Sequence, residues 1–287
     1  MGFGQTLKRI RLNRNMSQEK IAAGLITQGT YSRIERDQLQ LDVELFLKLL
    51  ERLNISSNEF LFIHNNYQAI EHESIMKDFR DLEITLPETL NNHMRRLSIY
   101  LKRYPSSNLN KVFIAYQILY LYVVEGNIEL AKQKASLVWS DFQKLDSWYI
   151  DDLILLNSLL ILFPLDTAIE ITTTALKRID AYEHFEKDLT YLKIYFEMDL
   201  CVILIQQQKY ELVLHKLNYI YENYKQKMSY QTLVALFTNR AICLFHLNKP
   251  VEEELTKLNL LLSLYGESSL LDSLLKIFKN HTIEMNK

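Results

Sequence analysis

Polar side chains suited to contacting nucleic-acid bases are concentrated in one short segment near the amino terminus, residues 28–36. Tyr31 and Ile34 are three positions apart, so they face inward together if the segment is a helix. Gln28 and Arg33 then face solvent, where an amide pairs with adenine, a guanidinium pairs with guanine, and either can bind phosphate. The segment therefore has the composition of a helix that contacts DNA.

The surrounding residues predict five short helices that would hold this segment in place. Small polar residues are expected at the helix starts, because their side chains accept hydrogen bonds from the first-turn N–H groups. The expected N-caps are Ser17, Thr27, Asp42 and either Ser56 or Ser57. The first helix is predicted from about 4 to 14, and Gly24 or the residues after it should end the second. A second and third helix joined by a tight turn are typical of a helix-turn-helix DNA-binding domain.

Charge is unevenly distributed along the chain of 287 residues, whose net charge is -2. Residues 1–36 contain seven Lys and Arg against two Glu, a balance of +5, so the remainder carries −7. A basic module of this kind favours a phosphate-bearing partner, and the acidic remainder favours a different one.

The segment SQEKIAAGLITQGTYSRIERDQLQLDVELFLKLLERLNISSNEFL resembles the XRE (lambda repressor/Cro-like) family, in register over about 60 residues. The resemblance implies that Gln28, Thr30 and Arg33 face the DNA groove, and that Thr27 and Ser32 bind phosphate oxygens. It also implies an ion pair between Arg11 of the first helix and Glu35 of the third. Arg9 and Arg14 are expected to contact phosphate or solvent. The chain departs from the family at Asp37, where Gly is usual, so the turn after the third helix needs an Asp that tolerates the left-handed conformation.

The body of the chain predicts longer helices interrupted at regular intervals. The breaks fall at Gly126-Asn127, Phe163-Pro164, Lys209-Tyr210 and Lys249-Pro250. Each has a long helix before it and an amphipathic helix after it, which predicts hairpin repeats of the tetratricopeptide (TPR) type. A plain all-α domain without repeats is the alternative. Residues 68–105 predict two further helices, and residues 270–279 predict a capping helix. The expected fold is all-α, with a DNA-binding domain over residues 1–66 and a repeat domain over residues 67–287.

Stacked hairpins curve, and their first helices line the inner side, which commonly holds an extended peptide. Aligning the turns places Gln117, Asp199 and Asn239 at equivalent inner positions. Amides there can hydrogen-bond both the N–H and the C=O of a peptide backbone. The neighbouring inner candidates are Tyr116, Tyr120, Asn157, Tyr195 and Arg240. Arg240 could bind a peptide carboxylate or an internal acid.

Signatures of catalysis are missing from the sequence: there is no Gly-rich phosphate loop, CxxC, HExxH or GxSxG motif, and the seven His have no metal-ligand spacing. We therefore expect neither an enzyme nor a cofactor or metal. Cys201 and Cys243 lie in apolar runs and are expected to be buried thiols in a reducing cytoplasm, with a disulfide as the alternative. No apolar run reaches the length of a membrane span.

An XRE module in front of about 220 residues of helical repeats resembles the Rgg group within the RNPP (Rap, NprR, PlcR, PrgX) regulators of Gram-positive bacteria. The resemblance implies a cytoplasmic homodimer that regulates transcription, binds promoter DNA and responds to a short signalling peptide, as in quorum sensing. Two alternatives stay open from the residues alone. The repeats could form a scaffold that binds a partner protein, or they could serve only to dimerise an XRE repressor.

Overall fold

Helix formation accounts for nearly all of the regular structure in the computed structural model, which describes residues 2–82 and 87–266. Those two ranges contain α-helices and two short 3-10 turns and no β-strand, so the all-α prediction is confirmed. The chain divides into two units, Met1–Asp81 and Leu82–Lys287. No α-helix within the described ranges combines the length and the apolar composition of a bilayer span.

The first unit contains six helices. They are α1 (Phe3–Asn13), α2 (Gln18–Ala22), α3 (Gln28–Glu35), α4 (Val43–Arg52), α5 (Ser57–His64) and α6 (Glu71–Arg80). The side chains of Ser17, Thr27, Asp42 and Ser56 each accept a hydrogen bond from a first-turn backbone N–H, which confirms the predicted caps. Gly24 follows the last turn of α2 with φ +70°, a left-handed conformation that Gly adopts without a Cβ clash.

The core of the first unit holds α3 in a fixed orientation. Tyr31 and Ile34 of α3 are 0% and 1% exposed, so the inward positions predicted from their spacing are confirmed. They belong to an apolar cluster with Leu7 of α1, Leu49 of α4 and Phe60 of α5. Each such side chain contributes about 1.5–3 kcal/mol when it is fully buried. The polar side of α3 is left facing outward.

The second unit contains nine described α-helices. They are α7 (Pro87–Arg103), α8 (Ser107–Val123), α9 (Ile128–Phe142), α10 (Ile150–Ser158), α11 (Leu165–Asp180), α12 (Thr190–Gln206), α13 (Tyr210–Tyr224), α14 (Tyr230–His246) and α15 (Glu252–Tyr265). The 3-10 turns are Leu160–Leu162 and Lys225–Lys227. The two helices expected within residues 68–105 correspond to α6 and α7. The capping helix expected at residues 270–279 lies outside the described residues.

Four hairpins follow α7, and each bends at a predicted break. Gly126 takes φ +64° and the Asn127 side chain caps α9, while Pro164 and Lys209 precede α11 and α13. The last hairpin bends after Asn248, at φ +53°. Most helices pack against the helix that follows them, which is the packing of a TPR-like array.

The first helices of successive hairpins form a common layer. Helix α8 contacts α10, α10 contacts α12, and α12 contacts α14. The second helices α9, α11, α13 and α15, all in the described part of the chain, approach one another less closely. Elements on the inner side of a bend are the closer ones, so the first helices form the inner face of the array.

Candidate functional site

The outward side of α3 presents the side chains predicted to contact DNA. Gln28 and Arg33 are exposed, and Thr30 is partly exposed. Arg33 makes no side-chain hydrogen bond or ion pair with the described residues, so its five N–H donors are available to a ligand. An amide and an unpaired guanidinium on one helix of a rigid bundle suit contacts to base edges or phosphates.

A hydrogen-bonded network fixes the start and the end of α3. Arg11 of α1 donates from Nε to Glu35 Oε1 (2.6 Å) and from Nη2 to Glu35 Oε2 (2.9 Å). Gln18, the first residue of α2, donates to the same Oε2 (2.7 Å). Its own Oε1 accepts from Gln28 Nε2 (2.5 Å). The amide of Gln28 is therefore positioned by the buried ion pair, through Gln18.

Electrostatics keep that ion pair charged. Burial raises the pKa of the Glu35 carboxyl, but the hydrogen bonds from Arg11 and Gln18 outweigh it, and the pKa lies below its ordinary value. The hydrogen bond with Glu35 in turn raises the pKa of the Arg11 guanidinium. Burial raises the pKa of the neighbouring Tyr31, because its anion would be desolvated beside Glu35. Removing one partner would leave an uncompensated buried charge.

Gln18 is a site residue that the sequence analysis did not select. Its side chain bridges Glu35 and Gln28, and it is only partly exposed. The available signal was its position directly after the Ser17 cap, in the S-Q pair that begins the family motif. Gln18 begins α2 and Gln28 begins α3, and the short α2–α3 turn brings these two helix starts within hydrogen-bond distance.

Hydroxyl groups on α3 are already engaged within the unit. Thr27 Oγ1 accepts from the Thr30 backbone N–H (3.1 Å) and lies 2.8 Å from Thr30 Oγ1. Ser32 accepts from Arg36 through its carbonyl (3.1 Å) and its hydroxyl (3.4 Å). Arg36, which the sequence analysis did not select, is thereby held along the exposed side of α3.

Arg9 and Arg14, which are expected to contact phosphate or solvent, each donate to a backbone carbonyl of the first unit. Arg9 is half-buried and donates to the Ile63 carbonyl at the end of α5 (2.7 Å). Arg14 is exposed and donates to the Asn54 carbonyl just after α4 (3.0 Å). The Ile63 carbonyl also accepts from the Asn66 backbone N–H (3.0 Å). Arg9 therefore fastens α1 to the end of α5, and Arg14 fastens the end of α1 to the turn after α4.

Asp37 shows why an Asp can replace the usual Gly after the third helix. Its φ is +56°, so the predicted left-handed conformation is present. Its Oδ1 accepts from the Gly4 backbone N–H (2.8 Å), in the first turn of α1. A Cβ on Gly2 would lie 2.2 Å from this carboxylate, and one on Gly4 would lie 1.8 Å from the Ile34 carbonyl oxygen. Asp37 therefore caps α1 in place of a local side chain and fastens it to the end of α3.

The inner face of the repeat array brings two of the predicted ligand-binding residues together. Asn157 on α10 donates from Nδ2 to Asp199 Oδ2 on α12 (2.9 Å). Both residues are partly exposed, so the pair lies at the surface between two inner helices. Burial raises the pKa of the Asp199 carboxyl to about 7, against a smaller lowering by the hydrogen bond from Asn157.

Other predicted inner residues extend this surface along the first helices. Gln117 on α8 is exposed, while Tyr120 on the same helix and Asn239 on α14 are partly exposed. Tyr195 lies one turn before Asp199 on α12, and its ring contacts that of Tyr191 with centroids 5.7 Å apart. Amides and aromatic rings on adjacent helices suit an extended chain with its own N–H and C=O groups.

Two predicted inner residues have different surroundings. Tyr116 is a core residue, 1% exposed, with its hydroxyl 3.1 Å from His93 Nδ1, so it does not line the ligand face. The one-residue difference in helix phase from Gln117 turns it inward. Arg240 forms an ion pair with the buried Glu254 of α15 (3.1 Å), which is the internal acid considered from the sequence and not a ligand carboxylate.

Cysteine chemistry plays no visible part in either surface. Cys201 and Cys243 are buried free thiols, as expected, and burial raises the pKa of each to about 12. Thiols with such pKa values are inert at neutral pH. Among the described residues, no three His, Cys, Asp or Glu side chains cluster as metal ligands.

Comparison with known proteins agrees with the fold of both units. The helix-turn-helix family model matches residues 7–60. The whole chain superposes on PlcR of Bacillus thuringiensis in complex with the peptide PapR7 and DNA, with a TM-score of 0.69, 17% identity, 95% of this chain and 98% of PlcR covered. It also superposes on the SHP pheromone receptor Rgg2 of Streptococcus dysgalactiae, with a TM-score of 0.66, 15% identity and coverage of 97% and 99%.

A third match is PrgX in complex with cCF10, with a TM-score of 0.62, 19% identity and coverage of 98% and 92%. The class of protein is therefore a helix-turn-helix domain joined to a helical-repeat domain. Residues 7–60 match the helix-turn-helix family model, and the chain has the fold of PlcR, Rgg2 and PrgX.

Proposed function

We propose that this chain is a sequence-specific DNA-binding regulator of transcription, controlled by a short signalling peptide bound on the inner face of its repeats. Its place of action is the cytoplasm, where DNA is accessible. The DNA-binding module is residues 1–66, and the peptide-sensing and dimerising module is residues 67–287. The observation that carries the proposal is the outward face of α3, held by the network that runs from the buried Arg11–Glu35 ion pair through Gln18 to Gln28.

The DNA-contacting role rests on preorganisation. Gln28 is oriented by Gln18 before any ligand arrives, so ordering its side chain on binding costs less conformational entropy. Arg33 has no competing partner among the described residues and supplies a planar donor fork that matches guanine or phosphate. Thr27 and Ser32 add hydroxyl groups at the edges of the same surface. Arg36 adds a second cation there.

A single helix-turn-helix module buries little surface, so we propose a homodimer that binds two half-sites about 34 Å apart, one helical turn of DNA. The repeat module supplies the dimer contacts. A peptide that favours one arrangement of the two modules over another would shift the population of the DNA-binding state.

The peptide-binding role rests on the polar groups along the inner helices. Gln117 on α8 and Asn157 on α10 are 40 residues apart, and Asn239 on α14 follows after a further 82, about two repeats. An Asn or Gln side chain can donate to a peptide carbonyl and accept from a peptide N–H at once. PlcR and PrgX, which share the fold, were crystallised with peptides.

The DNA-binding part is tested by fluorescence anisotropy with a labelled duplex from the region upstream of the gene, against random-sequence competitor. We expect Arg33→Ala to lose about tenfold or more in affinity for the specific duplex, the scale of one bidentate base contact. Lys132→Ala, which removes the same charge from an exposed position on α9, is the matched control and should bind as the wild type does. Equal binding by the two variants would remove Arg33 from the interface.

The alternative functions give different results in the same assay. A scaffold for a partner protein predicts no preference for any duplex over competitor, even at low salt, together with co-purification of a folded partner. A repressor whose repeats only dimerise predicts specific DNA binding that no peptide alters.

A further inference from the structure

The carboxylate of Asp199 is the one inner-face group whose chemistry differs from that of its counterparts. At the aligned positions, α8 and α14 carry the neutral amides Gln117 and Asn239, and α10 carries the amide Asn157 among its inner candidates. An amide both donates and accepts hydrogen bonds, whereas an ionised carboxylate only accepts. In its ionised form Asp199 cannot bind the carbonyl of a peptide backbone as those amides can, so the ionised carboxylate calls for a donor.

The surroundings of Asp199 supply only one such donor. Asn157 donates to Oδ2 at 2.9 Å, and no other hydrogen bond or ion pair of Asp199 occurs among the described residues. Lys216 on the adjoining helix α13 donates instead to Glu197 (2.9 Å). The carboxylate is thus partly desolvated by its neighbours without a cation to balance it. Such a group is costly unless a partner arrives.

The side chain also remains within reach of a ligand. Asp199 is partly exposed, and it points toward α10 and so across the inner layer, where the peptide would lie. Tyr191, Tyr195 and Asp199 follow one another at intervals of four along α12 and therefore share a face. Aromatic rings beside a carboxylate favour a cation through their π-faces as well as through its charge.

We infer that Asp199 selects for a cationic group on the bound peptide, either its free N-terminal ammonium or a Lys or Arg side chain. The inference rests on the proposed peptide-binding function and adds the charge of the ligand to it. An ammonium or guanidinium placed against Oδ1 would make a charge-assisted hydrogen bond and restore the solvation that the carboxylate loses on burial. The raised pKa of Asp199 is consistent with a carboxylate that lacks such a partner.

The test uses the full chain and three pools of short synthetic peptides of random sequence. One pool has free amino termini and no Lys or Arg, the second is N-acetylated with one Lys or Arg, and the third is N-acetylated without either. Peptides retained by the protein are quantified by mass spectrometry after filtration. The proteins compared are the wild type, Asp199→Asn and Asp141→Asn.

Asp199→Asn keeps an acceptor for Asn157 and changes only the charge. Asp141→Asn removes the same charge from an exposed position on α9. We expect the wild type and Asp141→Asn to enrich one cationic pool about tenfold or more over the neutral pool, the scale of one hydrogen bond between charged groups. Asp199→Asn should bring that ratio close to one. The pool that is enriched identifies the ammonium or the side chain as the source of the cation.

Two results would overturn the inference, and they are distinguishable. Peptides retained without charge preference, or with a preference that survives in Asp199→Asn, would refute the role of Asp199 while leaving peptide control of the protein intact. Retention of no peptide from any pool by any of the three proteins would refute peptide binding itself, and the role of Asp199 with it.

Discussion

The capping of α1 by Asp37 leads to a quantitative prediction about how α1 is fastened to the end of α3. The Asp37 carboxylate accepts from the Gly4 N–H at 2.8 Å, while the residue itself holds φ +56°. A hydrogen bond to a charged group contributes about 1.5–3 kcal/mol, against about 0.5–1.5 for a neutral pair. An ordinary residue in the left-handed region costs about 1–2 kcal/mol, and Gly or Asn costs less.

Three substitutions separate these two contributions. Asp37→Asn keeps an acceptor and a tolerated backbone, so we expect a loss of about 1 kcal/mol. Asp37→Gly loses the hydrogen bond but relaxes the backbone, for a net loss of about 1–2 kcal/mol. Asp37→Ala loses the hydrogen bond and places a residue with a Cβ and no polar group in the left-handed conformation, so we expect it to destabilise α1 by about 3 kcal/mol.

Hydrogen exchange of the α1 amides, followed by mass spectrometry on the full chain, measures how much each of the three substitutions destabilises α1. A loss of about 3 kcal/mol corresponds to exchange about a hundredfold faster, since about 1.4 kcal/mol is a factor of ten. Glu51→Gln, an exposed change of the same charge in α4, is the control and should leave α1 unchanged. Equal exchange rates in the Asn and Ala variants would refute the capping argument. An Asp37→Gly protein as protected as the wild type would show that only the backbone conformation matters.

Three further outcomes follow from buried contacts. Glu35→Gln should destabilise the first unit by about 3–5 kcal/mol, because Arg11 stays buried without its counter-charge, and urea denaturation monitored by circular dichroism would show it. Gly4→Ala should cost more than about 3 kcal/mol, since its Cβ would overlap the Ile34 carbonyl; an intact α1 in hydrogen exchange would contradict this. The pKa of Asp199 is about 7 in the folded protein, above the ordinary value of 3.8 that applies to the unfolded chain. Protonated Asp199 therefore stabilises the fold at low pH, and this stabilisation is lost as the pH rises through 7. Asp199→Asn should therefore exceed the wild type in free energy of unfolding by a margin that grows from about pH 4 to pH 7, reaching about 2 kcal/mol with allowance for partial exposure; a pH-independent margin would exclude Asp199 as the cause.

Local signals in the sequence are sufficient to predict the helices of the first unit. Ser17, Thr27, Asp42 and Ser56 cap helices in the structure because an N-cap is satisfied within three residues of its own position. The inward positions of α3 likewise follow from helical spacing alone. The same holds for two hairpin breaks, because Gly126 permits a left-handed backbone and Pro164 fixes its own φ.

Side-chain partners far apart in sequence were much harder to predict. Arg9 and Arg14 lie in or directly after α1, and no residue near them in sequence indicates their partners. Those partners are the backbone carbonyls of Ile63 and Asn54, which lie at least 40 positions further along the chain. The sequence analysis predicts Tyr116 on the inner face, next to Gln117. Neighbouring residues of an α-helix point about 100° apart, so an error of one position in the alignment is enough to exchange a core residue for a surface one. Only packing against a neighbouring helix fixes that phase.

The set of helices, their order and the family motif of the first sixty residues are therefore readable from the amino-acid sequence alone. Only the packing of the helices shows which polar groups hydrogen-bond within the protein and which remain available to a ligand. Gln18 became a bridge, Arg240 an internal ion-pair partner, and Asp199 a carboxylate beside a single amide. The physical reason is that helix formation depends on residues within one turn, whereas the satisfaction of a charge or hydrogen bond depends on whichever helix packs against it.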